Sequence, residues 1–375
     1  KAVFENKYIF GKKAEKTKIS YFNITNSLLR SLALFYYVIL GKLSLTGIGI
    51  TEYDRNKREI GDYYIYRQKP GIFNLWYIRE SSRTAYEGKL GTELEYVYTT
   101  NYLKDILLLL KTIPAFVYNP KADVITDNVE LFGIKLLNIK MQQAVELVEQ
   151  IVDSNKKEEI FFVNPHCLNK IFKDISYYRI LRKAKYIFPD GIGINIAAKM
   201  LHNPLVENLN GTDLLPFLCE IAVKKGYKLY FLGGKPGIAE KAKEKLKEEY
   251  SGLKIVGIQD GYFKEDEIPQ IIESINDTKT DILLVAMGVP KQEKWIANYF
   301  PDLQVNIAMG VGGLFDFYSG NIKRAPRWMR EIGLEWFFRL LQEPKRMWKR
   351  YIIGNPLFLI RVIKWKLAKQ NRMVK

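Results

Sequence analysis

Asp190 has the strongest claim to chemistry in this chain. It stands in Phe188-Pro189-Asp190-Gly191, at a strand-to-helix turn where Gly191 and Gly193 allow tight backbone approach. A carboxylate there can take a proton from a substrate or cap the next helix, and spacing alone weighs the two evenly. Other apolar runs end in the same manner. Asn164-Pro165-His166 follows Ile160–Val163, and Gly211-Thr212-Asp213 opens a helical stretch with Asp213 as cap or ligand. Gly233 and Gly234 lie between a strand and a helix, where free N–H groups can bind phosphate. That loop matches neither the Walker pattern nor a full GxGxxG, so alone it is a weak signal. After Asp281–Ala286 come Lys291, suited to a diphosphate, and Gln292, suited to a base or sugar, followed by Glu293. Gly312 and Gly313 close the last apolar run. So many polar or glycine-rich ends are poorly explained as turns, and they point to a phosphorylated ligand.

The elements that position these residues are legible from Val129 onward. Apolar runs at Ile160–Val163, Tyr186–Phe188, Lys228–Leu232, Lys254–Ile258, Asp281–Ala286 and Val305–Met309 predict strands. Helical periods at Gln142–Val152, Ile238–Tyr250 and Lys291–Tyr299 alternate with them. This alternation predicts an α/β fold, a Rossmann-like and mostly parallel sheet with flanking helices. Ligands of such sheets sit beyond the carboxyl ends of the strands, where the residues above are expected. Residues 1–120 show no such alternation and read as a small N-terminal α+β domain, with a helix-like stretch from Tyr102 to Ile113. The Pro/Asn/Asp-rich stretch Asn119–Asp127 reads as a linker. The expected division is therefore 1–120, a linker at 121–128, a core at 129–320 and a basic helical appendage at 321–375.

That appendage carries most of the chain's charge. From Asn321 to Lys375 there are fifteen Lys/Arg against three Glu, a net of +12 out of +17 for all 375 residues. Trp328, Trp336, Trp348 and Trp365 are interleaved with them, which suits a surface apolar on one side and phosphate-bearing on the other. An anionic membrane surface is the expected partner; a solvated basic helix pair is the plain alternative. Nucleic acid is suggested by charge only and is not expected as a partner. A tail of this kind can also bury itself in a second copy, which leaves a homo-oligomer open. No apolar run reaches the roughly 18 residues of a spanning helix. Two cysteines, Cys167 and Cys219, and two histidines, His166 and His202, indicate neither a disulfide framework nor a metal cluster. A reducing, cytoplasmic setting is expected, and a start at Lys1 rather than Met fits a piece of a longer chain.

Taken in order, the blocks resemble the WecG/TagA/CpsF glycosyltransferases over residues 129–365. The carriers are Phe188–Gly193 (FPDGIG), Gly211–Leu214 (GTDL), Leu232–Gly237 (LGGKPG) and Asp260–Phe263 (DGYF). Gly288–Glu293 (GVPKQE), Gly310–Gly313 (GVGG), Arg324–Arg327 (RAPR), Gly333–Trp336 (GLEW) and Arg339–Pro344 (RLLQEP) complete them. The resemblance implies an inverting transferase moving a sugar, typically N-acetylmannosamine, from a UDP-sugar. The acceptor would be a polyprenyl-diphosphate-linked sugar at the inner membrane face, in cell-envelope, exopolysaccharide or teichoic acid synthesis. It makes Asp190 the catalytic base and the appendage a peripheral membrane contact that closes over the site. Asn164, Gly191, Thr212, Asp213, Gly233, Gly234, Lys291, Gln292, Glu293, Gly312 and Gly313 then become substrate-binding candidates. Arg324, Arg327, Arg339 and Arg346 are the expected diphosphate or membrane contacts, with no metal or other cofactor beyond the UDP-sugar. Two positions depart from the family: Phe162 replaces a common Thr and Asn208 a common Arg. They keep a UDP-sugar-binding pseudoenzyme or membrane adaptor as the alternative.

Residues 26–118 resemble the C-terminal part of the bacterial sugar transferases that load phosphosugars onto polyprenyl phosphate. Leu40–Gly47 (LGKLSLTG), Lys69–Ile72 (KPGI), Leu75, Trp76, Arg83 and Leu109–Pro114 (LLKTIP) carry the likeness. That family's Asp-Glu pair falls here on Arg30 and Ser31, which supply neither a nucleophilic carboxylate nor an acid. A non-catalytic remnant is expected.

Overall fold

The computed structural model describes residues 3–11, 15–23, 27–51, 65, 68–82, 87–118 and 126–373. The chain forms two compact units, Lys1–Lys121 with Pro326–Leu334, and Ala122–Ala325 with Glu335–Lys375. The appendage, expected as one block from residue 321, is thus divided, because Pro326–Leu334 folds with the N-terminal residues. Most of the expected linker, residues 119–125, lies outside the described residues, and so does Arg83.

In the N-terminal unit, strands β1 (Val3–Phe10) and β2 (Lys16–Asn23) form an antiparallel hairpin, and β3 (Ser44–Thr46) and β4 (Gly71–Phe73) a short parallel pair. Helices cover Ser27–Ile39, Leu75–Ser82, Gly88–Thr99, Tyr102–Tyr118 and Arg327–Glu331. Arg30 and Ser31 fall in the first of these, but their side chains lie outside the described residues. The core is divided into small clusters, one built on Ile48, Ile78, Tyr96 and Leu108, another on Ile9, Ile19, Leu34 and Leu43.

The second unit opens on a hairpin of β5 (Asn128–Leu131) and β6 (Ile134–Leu137). Then come β7 (Glu158–Val163), β8 (Tyr186–Pro189), β9 (Lys228–Gly233), β10 (Lys254–Gln259), β11 (Ile282–Ala286) and β12 (Ile307–Gly310). These make one sheet, ordered β10-β9-β11-β12-β7-β8, with every pairing parallel. Helices cover both faces, so β11 is buried along its whole length and reads Ile-Leu-Leu-Val-Ala without alternation. The helix Met141–Asp153 shows the complementary logic: Met141, Ala144, Val145, Val148, Ile151 and Val152 are buried at helical spacing. From β9 the chain moves outward to β10, and from β11 it moves the other way to β12. The crevice between β9 and β11 is therefore a topological switch point, where such sheets bind ligands.

The last helix, Gly354–Met373, follows a π-turn at Lys349–Ile353 and is anchored to this unit. Phe358 and Val362 are fully buried and the Trp365 ring meets Phe132 edge-on. Asn169 donates to the Gly354 carbonyl at 2.7 Å and receives Arg361 at 2.7 Å. One face of this helix is therefore packed on the unit, while Ile360, Ile363 and Leu367 on it are exposed. No described helix is long and apolar enough to cross a membrane.

Candidate active site

The site begins where β7 and β8 end side by side. Asn164 caps the helix Pro165–Lys170, its side-chain oxygen accepting from the N–H groups of His166 (3.1 Å) and Cys167 (3.2 Å). Its amide is thereby turned toward Asp190 and donates to the carboxylate at 3.2 Å. The Asp190 N–H is itself fixed to the Val163 carbonyl at 2.9 Å. Burial pushes the Asp190 carboxyl above its usual range, against the lowering effects of Asn164 and the Arg350 charge. Gly191, at φ +88°, turns the chain into the next helix with no side-chain cap. The helix after Gly191 has no side-chain cap, so the capping reading of Asp190 is not met.

The two departures from the family pattern lie beside this turn. Asn208 accepts from the Gly191 N–H at 2.6 Å and so holds the turn that presents Asp190. Phe162 is nearly buried, packed edge-on against Phe188 with ring centroids 5.5 Å apart. Gly211 packs against the same ring, since an added Cβ would stand 3.7 Å from it. One departure replaces a charge by a hydrogen bond, and the other places a hydrocarbon beneath the site.

Asp213 sits at the start of the helix Gly211–Lys225, within a closed set of partners. Asn210 caps its N–H at 2.8 Å and donates to its carboxylate at 2.6 Å, while Arg324 forms an ion pair with the other oxygen. The Thr212 carbonyl receives the Tyr318 hydroxyl at 2.8 Å. Arg324 also lies 3.7 Å from Glu335, so its charge is already matched within the protein.

The loop after β9 passes close to the end of β11. The Gly234 N–H goes to the Ala286 carbonyl at 2.9 Å. An added Cβ on Gly233 would fall 2.4 Å from that carbonyl oxygen, at a φ of +119°. Gln292 is 1% exposed, and its carbonyl oxygen accepts from both Gly288 N (3.1 Å) and Gly312 N (3.0 Å). Its amide donates to Glu293 at 2.9 Å. Gln292 therefore staples the loop after β11 to the loop after β12, a position different from the expected contact with a base or sugar. Glu293 is fully buried, and burial pushes its carboxyl up to about 7. It backs the site from inside the protein. Lys291 remains exposed, its amine donating to the Gly261 carbonyl at 3.2 Å.

The four arginines separate. Arg339 reaches the end of β12: an added Cβ on Gly313 would stand 3.6 Å from its guanidinium, which stacks over Phe317 and bonds Glu343 at 2.9 Å. Arg346 is largely exposed beside Glu343. Arg327 is removed from the set, because it folds with the N-terminal unit and is paired there with Glu87 and Glu95. Arg350, on the π-turn, was missed; its charge acts on Asp190, His166 and Cys167. His166 was also passed over. Burial, then Arg350 and Lys170, push its pKa down to about 4, so its ring is neutral at physiological pH. The Asn164-Pro165-His166 block was a signal for His166; none marked Arg350, which lies 160 residues after Asp190.

Residues 129–372 match the family described as Glycosyl transferase WecG/TagA/CpsF. The chain belongs to that family. Residues 12–119 match the family described as Bacterial sugar transferase. Among relatives of the WecG/TagA/CpsF part is an N-acetylglucosaminyldiphosphoundecaprenol N-acetyl-beta-D-mannosaminyltransferase of Bacillus subtilis (strain 168). It is 33% identical over 242 residues, 64% of this chain and 93% of that protein. A protein of the same name from Staphylococcus aureus (strain MW2) is 31% identical over 253 residues, 67% of this chain and 96% of its own. Placed on this WecG/TagA/CpsF fold, the matched region spans the whole parallel sheet, Asp190 and the anchored last helix.

Proposed function

We propose that this chain transfers N-acetylmannosamine from a UDP donor to the sugar of a polyprenyl-diphosphate-linked N-acetylglucosamine, inverting the anomeric centre. The observation that carries the reading is the Asp190 carboxyl, oriented by Asn164 at paired strand ends and desolvated so that it binds a proton more tightly. In the proposed step Asp190 takes the proton of the acceptor hydroxyl while that oxygen bonds to the anomeric carbon. The bond from that carbon to the UDP oxygen breaks, and UDP leaves. Its charge is met by Arg339 at the β12 end and Arg350 near Asp190. The names of the relatives support the choice of sugars.

The same reading places the protein peripherally on an anionic membrane, where such an acceptor resides. Supporting it are Trp348, Ile352, Ile353, Leu357, Ile360, Ile363 and Leu367, all substantially exposed among the basic residues of the C-terminal segment. The test is UDP release from a panel of UDP-sugars, with and without a polyprenyl-diphosphate N-acetylglucosamine analogue. Release that needs the acceptor, is largest with UDP-N-acetylmannosamine and falls about 10²–10⁴-fold in Asp190→Asn is expected. Full turnover in that variant would remove Asp190 from the mechanism.

A further inference from the structure

Within the second unit, the turn that carries Asp190 is stapled to the stretch that carries Asp213. The Leu209 N–H donates to the Pro189 carbonyl at 2.9 Å, and the Gly191 N–H to the Asn208 side chain at 2.6 Å. These bonds flank Asp190 on either side, so the stretch from Asn208 to Asp213 starts beside it. Phe162 joins the two again, packing against Phe188, two residues before Asp190, and against Gly211, two before Asp213. Two carboxylates are thereby brought to one end of the sheet, where each opposes ionisation of the other.

Asp213 differs from Asp190 in how firmly it is held. Its side chain is 9% exposed, with Asn210 on one oxygen at 2.6 Å and Arg324 on the other. The Asn210 oxygen also caps the Asp213 N–H, and the Tyr318 hydroxyl fixes the preceding carbonyl, both at 2.8 Å. A carboxylate so clamped has little freedom to follow a substrate. Its two charges act on Asp190 in opposite senses: Asp213 strengthens the hold of that carboxyl on its proton, and Arg324 weakens it. The other titratable or charged groups that interact with Asp190 are Cys167 beyond Asn164, and Arg350 and Tyr351 on the π-turn. In the transferase reading Arg350 turns to the leaving diphosphate. The Asp213–Arg324 pair is then the charge beside Asp190 that substrate does not alter.

We propose that Asp213 and Arg324 are positioning residues for the base: a built-in ion pair beside Asp190 whose two charges balance there and which touches neither substrate. The consequence for turnover rests on the transferase reading above. The effect of the pair on the Asp190 carboxyl is measurable without turnover.

The test uses the full chain as Asp213→Asn, Arg324→Gln and the double variant. Two readouts are compared: the pH profile of kcat/KM for UDP release, and the carbon-13 carboxyl titration of Asp190, assigned by its loss in Asp190→Asn. The base acts only when ionised, so kcat/KM falls on the acid side as Asp190 takes up its proton. Asp213→Asn leaves the Arg324 cation unbalanced and should carry both the acid limb and the carboxyl titration to lower pH. Arg324→Gln leaves the Asp213 anion unbalanced and should carry both to higher pH. At a fixed pH on the wild-type limb, kcat/KM as a fraction of its own plateau should rise several-fold in the first and fall several-fold in the second. The double variant should return toward wild type. Lowered plateaus with the limb unmoved would reduce the pair to a structural clamp and overturn the proposal. A raised donor KM in Arg324→Gln with the limb unmoved would also overturn it, making Arg324 a diphosphate contact. Where Asp213→Asn alone does not yield folded protein, Arg324→Gln compared with the double variant reads the same carboxylate effect without an unbalanced buried cation. Wild type inactive with every donor would count against the transferase reading alone, since the carboxyl titration still decides the pair.

Discussion

Asn164 and Asp190 are 26 residues apart in sequence and 3.2 Å apart in the structure, and that hydrogen bond opposes the effect of burial on the proposed base. Burial raises the Asp190 carboxyl, so the acid limb of kcat/KM should lie above the pH at which an ordinary aspartate ionises. Asn164 opposes that rise, and Asn164→Ala should move the limb further up while lowering the plateau; a pH profile of UDP release measures both. The same substitution removes a helix cap, at about 1 kcal/mol of stability. Glu293 gives an independent prediction. Its carboxyl titrates near 4.5 unfolded and about 7 folded, so between those values the folded state holds the extra proton. Stability then falls as pH rises through that window, by about 3 kcal/mol in all. Glu293→Gln should flatten this loss, raising the melting temperature at pH 8 with little change at pH 4. The position of Asp190 at a strand-to-helix turn was legible from the apolar run before it and Gly191 after it. The burial of Glu293 was not, because it depends on helices packed over the sheet.

At the scale of elements, the six strands of the sheet were legible as apolar runs spaced by helical periods. The start of β12 was expected at Val305 and falls at Ile307, since Asn306 instead bonds the Asp281 carbonyl at 3.0 Å at the foot of the sheet. The loops between elements were harder to read, because their glycines serve two purposes that share one sequence. Gly233 and Gly234 were expected to face a diphosphate; their geometry shows close passage of β9 past the end of β11. Gly233→Ala should therefore destabilise the fold by several kcal/mol, on the order of 3, through backbone overlap and a φ that a side chain disfavours. Urea unfolding measures it, and an unchanged midpoint would return Gly233 to a purely ligand-facing role. Gln292 was read as a ligand contact because its partners, Gly288 and Gly312, lie on two different loops and cannot be paired from sequence.

At the scale of the molecule, the net +12 of residues 321–375 predicts binding to anionic vesicles. The Debye length falls from about 10 Å at 0.1 M salt to 3 Å at 1 M, so sedimentation with such vesicles should weaken over that range. Undiminished binding at high salt would assign the contact to apolar insertion alone. The two-part organisation was visible in the sequence, but the place of Pro326–Leu334 in the first unit was not, since nothing in Arg327 or Glu331 shows which unit they join. Their position has a consequence for how the protein is made. Glu331, which accepts from the Arg79 Nε at 2.8 Å, follows it by 252 residues. At a synthesis rate of about 5–20 residues per second, the first unit to leave the ribosome waits about 13–50 s for its last counter-ion. A nascent chain halted before residue 326 should thus present that unit loose and open to protease, and it should tighten only once nearly the whole polypeptide has emerged. The domain begun first is completed only after most of the second has been made.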